Sequence, residues 1–235
     1  MGCKCIGPTK DKYSIENILY DKMQEPKGIS SNIQITEYVQ KVFCLINKIR
    51  VNPSEFVSYI QGAEKYIKEI NGRIIFDDSR IKVFLNEGIK MFKDCEDRLR
   101  DLKPMEALKF CDEIVLDCPT DESNIKDINY FKDKVLEKKE KFGIEAYFKD
   151  SIRIPEISVL LMLVDDSVKN PKRKRETILN PNYKYIGISS SDSVSNIKEE
   201  KNDEGNNNEN KKEEEQKKNE NNNTNKPFCA YFTFK

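Results

Sequence analysis

The sequence predicts an α/β domain in which a central, mainly antiparallel β-sheet carries helices on both sides. Several segments repeat apolar residues at spacings of three and four, which is typical of amphipathic helices. Between and after them lie short runs rich in β-branched and aromatic residues, two of them near the C-terminus. Helices and strands mixed in this way favour layers of helices packed on a sheet.

Each element is predicted from its own pattern. The helical pattern is found in segments 35–50, 80–103, 109–118, 128–142 and 154–168. Another helix is expected to restart at Asn52, because Pro53 suits a first helical turn and Glu55 suits a capping box. Gly143 is expected to end the fourth of the listed helices. The strand pattern is found in segments 72–78, 144–148, 180–189 (after an opening turn) and 228–235.

The composition excludes several kinds of chemistry. The 235 residues include 41 Lys and Arg, 41 Asp and Glu, and no histidine. Without histidine, Ser-His and Cys-His catalysis and histidine-based metal sites are excluded. A formal net charge of +0 gives no general attraction to nucleic acid. We therefore expect no cofactor, no metal ion and no nucleic-acid partner.

The 7 cysteines form no Cys-x-x-Cys pair, and the N-terminus has no apolar signal-peptide core. These features predict a reducing compartment and a protein that is not secreted. The cysteines of the expected domain are then small hydrophobic side chains, namely Cys44, Cys95, Cys111, Cys118 and Cys229.

The chain begins MGCKC, with Gly2 next to Cys3 and with Cys5 close by. This pattern resembles the dual-acylation signal of cytoplasmic membrane-bound proteins, although Ile6 stands where the usual myristoylation pattern has Ser or Thr. One acyl chain binds a membrane marginally and two bind it stably. Residues 1–12 are therefore an expected acylation segment and 13–34 a tether. A disordered end without function and a metal clip are the alternatives.

A low-complexity segment separates the last two predicted strands. Residues 198–226 contain no aromatic or aliphatic side chain, so ordering them would bury too little apolar surface. We expect 190–226 to be a disordered insertion in the final hairpin, and a protein partner that contacts it is one hypothesis. The remaining residues, 35–189 and 227–235, are the expected domain.

Several motifs resemble the CAP superfamily (cysteine-rich secretory, antigen 5 and pathogenesis-related proteins, with the SCP domain). Within LINKIRVNPSEFVSYI, the family-like pattern is carried by Asn47, Arg50, Asn52, Pro53 and Phe56. The segments NEGIKMFKDCEDRLRDLKPMEALKF, VLLMLVDDSVKNPKRKRETILNPNYKYIGIS and CAYFTF follow in the family's order and spacing. The resemblance implies an α-β-α sandwich. Within the family, the chain resembles a degenerate member from a unicellular eukaryote.

The resemblance also implies a cleft, which in many family members holds a metal with two histidines and two acidic residues. Here Lys174 falls where one histidine is expected, and the other has no counterpart. Glu145 matches the family's strand glutamate, and Asp165 or Asp166 falls near the second acidic position. The expectation is a vestigial cleft with an ion pair between Glu145 and Lys174. Ligand binding there and unrelated exposed charges are the alternatives.

A basic run follows the cleft residues in sequence. It comprises Lys169, Lys172, Arg173, Lys174 and Arg175. Such a cluster is predicted either to contact phospholipid headgroups, which attract basic residues near a membrane, or to be a solvated loop neutralised by nearby acidic residues.

Three hypotheses for function follow. The first is a non-catalytic CAP-like binding or scaffold module, lipid-anchored to the cytoplasmic face of a plasma or ciliary membrane, with a lipid or sterol as the ligand that the resemblance implies. The second is a structural protein of a membrane-associated or ciliary assembly. The third is a hydrolase that uses a lysine and a carboxylate.

Overall fold

The computed structural model describes residues 35–119, 121–167, 170–194 and 227–235. Within them the helices are α1 (Glu37–Val51), α2 (Val57–Ala63), α3 (Ile89–Asp101), α4 (Glu122–Lys126), α5 (Ile128–Phe142), α6 (Pro155–Val164) and α7 (Arg173–Ile178). The strands are β1 (Ile67–Ile70), β2 (Arg73–Asp78), β3 (Ile81–Leu85), β4 (Lys109–Phe110), β5 (Ala146–Asp150), β6 (Tyr185–Ser190) and β7 (Ala230–Phe234). The general α/β class is confirmed.

The larger sheet has four strands in the order β4-β6-β7-β5. β4 runs parallel to β6, whereas β7 is antiparallel to both β6 and β5. The predicted final hairpin is confirmed, since Ser190 lies opposite Ala230 and Ile186 opposite Phe234. A 3-10 helix, Ser191–Val194, follows β6, so regular structure continues past Ser189, where we placed the end of the domain.

The two faces of this sheet are covered by different helices. Phe232 and Phe234 of β7 belong to the main core cluster, which also contains the buried sides of α1 and α6. Tyr231, the residue before Phe232, belongs to a second cluster with Phe131 and Val135 of α5. Because alternate residues of a strand point to opposite faces, β7 is buried on both sides.

A second, three-stranded antiparallel sheet in the order β1-β2-β3 was not predicted, so the expectation of one central sheet is corrected. Asn71 and Gly72 both have positive φ, at 52° and 71°, as a two-residue hairpin turn requires. Phe76 of β2 stacks on Phe92 of α3, with 6.4 Å between the ring centroids. This contact attaches the small sheet to the main core.

Two predicted helices are wrong in part. Residues 81–85 form β3, and the helix begins only at Ile89. Segment 109–118 contains the two residues of β4 and one 3-10 turn, because Lys109 and Phe110 pair with β6 instead of continuing a helix. Asn52 also makes no side-chain cap, and a 3-10 turn precedes α2. The helices predicted at 35–50 and 128–142 are confirmed. The helix predicted at 154–168 is confirmed in its first part and ends at Val164, where Asp165 turns into the left-handed region.

Asn47 and Arg50 of α1 hold distant segments of backbone together. The Asn47 amide forms two hydrogen bonds with the backbone of Leu108, at 2.7 and 3.0 Å. The Arg50 guanidinium is fully buried and donates four hydrogen bonds to backbone carbonyls. Its acceptors are Glu106, Ile178, Asn180 and Tyr183. These two residues therefore have a structural role.

Candidate binding groove

A groove of about 540 Å³ lies between the small sheet and the end of the larger one. All five residues of β3 line one side of it. The other side is formed by 150–152 at the end of β5, by Leu161 and Val164 of α6, by 165–167 and by Lys174 of α7. The groove thus combines an apolar wall with a few charged groups, as ligand sites do.

The β3 side of the groove is an unpaired strand edge. Two-residue turns close on a hydrogen-bonded pair, so the pairing of Asp78 with Ile81 is hydrogen-bonded, and pairs along β3 alternate from there. The backbone N–H and C=O groups of Lys82 and Phe84 consequently point away from β2. In the described parts of the chain, no backbone group bonds to this edge.

A chain of four polar side chains runs from the groove into the core. Lys174 Nζ lies 3.2 Å from Asp150 Oδ1, and Ser158 Oγ donates a 2.8 Å hydrogen bond to Asp150 Oδ2. Ser158 Oγ is 3.0 Å from the hydroxyl oxygen of Tyr38. Burial and then the charge of Asp150 raise the pKa of Tyr38 well above its usual value. The phenol of Tyr38 therefore keeps its proton at neutral pH and can donate it in a hydrogen bond to Ser158. The carboxylate of Asp150 accepts from both Ser158 and Lys174, and so holds the Lys174 ammonium in place.

Asp165 and Asp166 hold the loop after α6 in two different ways. Asp165 has a left-handed backbone (φ 46°), and its carboxylate accepts a 2.6 Å hydrogen bond from the backbone N–H of Lys174. The carboxylate of Asp166 accepts hydrogen bonds from three consecutive backbone N–H groups, those of Asn86, Glu87 and Gly88, at 2.8–3.0 Å. Asp166 thereby satisfies the N–H group of Gly88, the N-cap residue of α3, and those of the two residues before it.

Burial raises the pKa of Asp165, and the backbone N–H and the charge of Lys174 only partly oppose this effect. The ionised carboxylate of Asp165 is therefore held in the fold at a cost in free energy.

The basic run is largely neutralised by the domain itself. Lys172 Nζ lies 2.7 Å from Asp94 Oδ1, and Arg175 is hydrogen-bonded to Oδ2 of the same carboxylate. Burial raises the pKa of Asp94, but these two hydrogen bonds outweigh it and hold the pKa below its usual value. Arg173 is exposed, and its guanidinium donates to the carbonyl of Tyr147. Lys169 lies outside the described residues.

Two predicted contacts need correction. Arg175 has a side-chain exposure of 1%, so it does not reach a headgroup from this position. Glu145 is exposed and does not line the groove, and the partner of Lys174 is Asp150. Asp150 comes five residues later on the same strand segment, where its alternating position turns it inward. Asp165, Asp166 and Lys174 do line one groove together.

The remaining predicted sites lie outside the described residues. Gly2, Cys3 and Cys5 belong to 1–34, and most of the insertion belongs to 195–226. Among the described side chains, no group of three or more His, Cys, Asp or Glu is placed to hold a metal ion. None of the described helices has the length and apolar character needed to cross a membrane.

No family model, curated protein or solved structure matches the chain. The CAP resemblance therefore stays a prediction.

Sequence reasoning missed the open β3 edge and the Tyr38–Ser158–Asp150 chain. The alternation in IKVFL was a usable signal for the strand, because Ile, Val and Leu occupy every second position. The hydrogen bonds of Ser158 and Tyr38 had no such signal. They join residues far apart in sequence, and each of these side chains sits on a helix whose pattern only predicts burial.

Proposed function

We propose that this protein is a non-catalytic binding module whose groove accepts an extended peptide strand from a partner protein. The observation that carries the proposal is the unpaired edge of β3 along the groove. Extended peptides bind such edges by adding a strand, with backbone hydrogen bonds for affinity and side-chain pockets for specificity. Lys82 and Phe84 supply the four outward backbone groups.

The two sides of the added strand would meet different surfaces. One set of alternate side chains would face the apolar wall of Leu161 and Val164. The other set would face the outer side of the small sheet, where Lys82 and Arg73 are exposed and the Arg73 guanidinium lies 5.6 Å from the ring of Phe84. We therefore propose a ligand in which apolar residues alternate with acidic ones.

The module is further proposed to be held at the cytoplasmic face of a membrane by acyl chains on Gly2, Cys3 and Cys5. The pattern MGCKC supports this, together with the need for two chains in a stable anchor. In this arrangement the CAP-like sandwich would be a scaffold that displays the groove to peripheral partners.

Two other hypotheses gain less support from the groove. A lipid or sterol would use the apolar wall but leave the strand edge of β3 unpaired. A hydrolase would need a reachable nucleophile, and Ser158, the serine beside the Asp150–Lys174 pair, is 0% exposed.

The strand-addition proposal is tested with a proline that removes one outward N–H group. Lys82→Pro deletes a donor on the open edge and leaves the ladder to β2 intact, as proline on an edge strand permits. It also removes the Lys82 ammonium, so its binding is compared with that of Lys82→Ala, which keeps the N–H group. The matched control is Glu69→Pro on β1, the opposite edge strand of the same sheet. Glu69 lies opposite Ile74 in a pair that is not hydrogen-bonded, so its N–H group also points outward.

The probe is a fluorescein-labelled library of eight-residue peptides with alternating apolar and acidic residues, measured by fluorescence anisotropy. We expect binding that Lys82→Pro weakens at least about tenfold, a loss of about 1.4 kcal/mol, whereas Glu69→Pro preserves it. Equal binding by both variants would show that the β3 edge is not used. If no peptide in the library binds the wild type, the proposed ligand class is wrong.

The anchor is tested separately in eukaryotic cells, with the wild type beside Gly2→Ala and Cys3→Ser/Cys5→Ser. Incorporation of myristate and palmitate analogues is followed together with membrane fractionation. We expect the wild type to be labelled and membrane-bound and both variants to be soluble. An unlabelled, soluble wild type would overturn the lipid anchor and leave the groove proposal untouched.

A further inference from the structure

Cys118 and Cys229 face each other although 111 positions separate them in sequence. Their sulfur atoms lie 2.9 Å apart, and neither is in a disulfide. Cys229 is fully buried just before β7, whereas Cys118 is only partly buried and thus within reach of small solutes. Disulfide sulfurs lie about 2.05 Å apart, so closing the bond needs a movement of about 1 Å.

The surroundings of the pair favour one ionised sulfur. A hydrogen bond with Cys118 lowers the pKa of Cys229, against the effect of burial, and the charge of Lys149 helps. Burial and then the hydrogen bond with Cys229 raise the pKa of Cys118. Lys149 is fixed nearby, because its ammonium donates to the carbonyl of Ile125. The hydrogen bond thus makes Cys229 the more acidic thiol of the pair, and a thiolate is the form that reacts with oxidants.

Hydrogen bonds around Cys229 close the β6–β7 hairpin at the end where the insertion is attached. The N–H group of Ser191 donates to the carbonyl of Cys229 at 2.9 Å, and the N–H group of Cys229 donates to Ser191 Oγ at 3.2 Å. The insertion 195–226 leaves the domain directly beyond this point. Both cysteines belong to the cluster under α5, on the other side of the sheet from α1: Cys229 is one of its buried members and Cys118 packs against it.

We propose that Cys118 and Cys229 form a reversible disulfide when a hydroperoxide oxidises the protein, and that this bond ties the start of β7 to segment 115–119, which precedes α4. The hydroperoxide first converts one sulfur of the pair to a sulfenic acid and leaves as an alcohol, or as water from hydrogen peroxide. The other sulfur then attacks the sulfenic acid, forming the S–S bond and releasing water. The two thiols lose two electrons and two protons in total, and a dithiol reductant restores them.

The test uses the full-length purified protein, reduced with dithiothreitol and then treated with hydrogen peroxide. Non-reducing peptide mapping by mass spectrometry is expected to show a cross-link between the peptides that contain Cys118 and Cys229. The closed loop is long, so Tm is expected to rise by about 5–15 °C on oxidation and to return after fresh dithiothreitol.

Cys118→Ala and Cys229→Ala are each expected to abolish the cross-link and the rise in Tm. Cys111→Ala is the matched control, because Cys111 packs against the same cluster, and it should keep both. The proposal is overturned if the wild type forms no 118–229 cross-link, if another pair carries the disulfide, or if dithiothreitol does not reverse it. Mapping of the wild type decides the matter even if the alanine variants fold poorly.

Discussion

Arg50 is a single side chain that connects several separate segments of the described domain. Its guanidinium is buried in α1 and bonds to carbonyls that precede β4, end α7 and precede β6. Only a planar group with several donors in a fixed geometry can satisfy four acceptors at once. Burial lowers the pKa of Arg50, but an arginine starts so high that it stays charged.

We expect Arg50→Lys to lower the free energy of unfolding by about 3 kcal/mol, because one ammonium group cannot reach all four carbonyls and the charge stays buried. Urea unfolding followed by circular dichroism measures the loss. Arg98→Lys is the control: Arg98 is partly exposed and bonds to Glu176, so its cost should stay below about 0.5 kcal/mol. Similar losses in the two variants would show that Arg50 does not have this special role.

Asp165 should make stability depend on pH in a direction unusual for a carboxylate. Its pKa is raised in the fold, so the folded state binds a proton more tightly than the unfolded chain. The contribution of Asp165 is therefore most favourable below the unfolded pKa of about 3.9 and is lost as pH rises through the folded pKa. Asp165→Asn removes this loss.

The measurement is the difference in unfolding free energy between Asp165→Asn and the wild type at about pH 3.5 and pH 7. The variant is expected to gain relative stability as pH rises, whatever fixed cost the amide carries. Asparagine also suits the left-handed backbone at this position. A difference that stays constant, or that falls with pH, would contradict the raised pKa.

At the scale of elements, α3 depends on a carboxylate from another part of the chain. Gly88 precedes this helix with φ 58°, and an added Cβ would lie 2.6 Å from Ile74 Cγ2, so no side chain fits there. The position cannot carry a capping residue of its own. The carboxylate of Asp166, in the loop after α6, instead accepts the N–H group of Gly88 itself and so fixes the residue from which the helix starts.

Asp166→Ala is expected to destabilise the protein by about 1–2 kcal/mol, as the loss of a helix cap does. Asp166→Asn keeps one acceptor oxygen and should lose less. Ser167→Ala, a change at the exposed neighbouring residue, is the control and should stay within about 0.5 kcal/mol. Chemical denaturation of the three variants gives the order. An Asp166→Ala variant as stable as the control would exclude the cap.

The error at β3 shows what a sequence pattern can decide. Ile81 and Leu85 are four residues apart, a spacing that both a helix and a strand place on one face. We extended the following helix over them, whereas Val83 between them carried the alternation of a strand. Pairing with β2 across a two-residue turn is what makes residues 81–85 a strand instead of a helix. Such long-range pairing overrides local propensity.

The same reason explains the prediction of Glu145 at the site. A matched motif fixes a position along the strand, but the turn before α6 decides which carboxylate faces the groove. Asp150 also accepts the backbone N–H of Ile152, so its own turn aims it inward. Local pattern was enough for β2, β5, β6, β7 and the final hairpin, whereas β1, β3 and β4 depend on their pairing partners. Asp165, Asp166 and Lys174 came from the family resemblance. Asp150 lies at a buried position of β5, but its contact with Lys174 joins segments that no local pattern connects.

At the scale of the whole molecule, the β6–β7 hairpin holds the layers together independently of its insertion. β7 pairs with strands on both sides and is buried on both faces. The contacts between Ser191 and Cys229 close the hairpin before the insertion begins. The domain should therefore tolerate a change in the length of 195–226.

We expect replacement of 195–226 by a Gly/Ser linker of about eight residues to stabilise the protein by about 1 kcal/mol, because each halving of a flexible loop saves about 0.6 kcal/mol of closure free energy. Thermal and urea unfolding measure the effect. A scrambled insertion of the same length and composition is the control and should match the wild type. A large loss of stability in the shortened protein would mean that the insertion contributes to the fold.

The central place of β7 has a consequence for biosynthesis. β5 and β6 are both made before the insertion, yet they do not pair with each other, and the strand that joins them follows it. A ribosome that adds about 5–20 residues per second needs some seconds to cross this stretch. During that delay the nascent chain displays the open edges of β5 and β6 and the apolar side chains that β7 will cover, the kind of surface that molecular chaperones bind. A longer insertion therefore lengthens the time for which each new copy must be protected from aggregation.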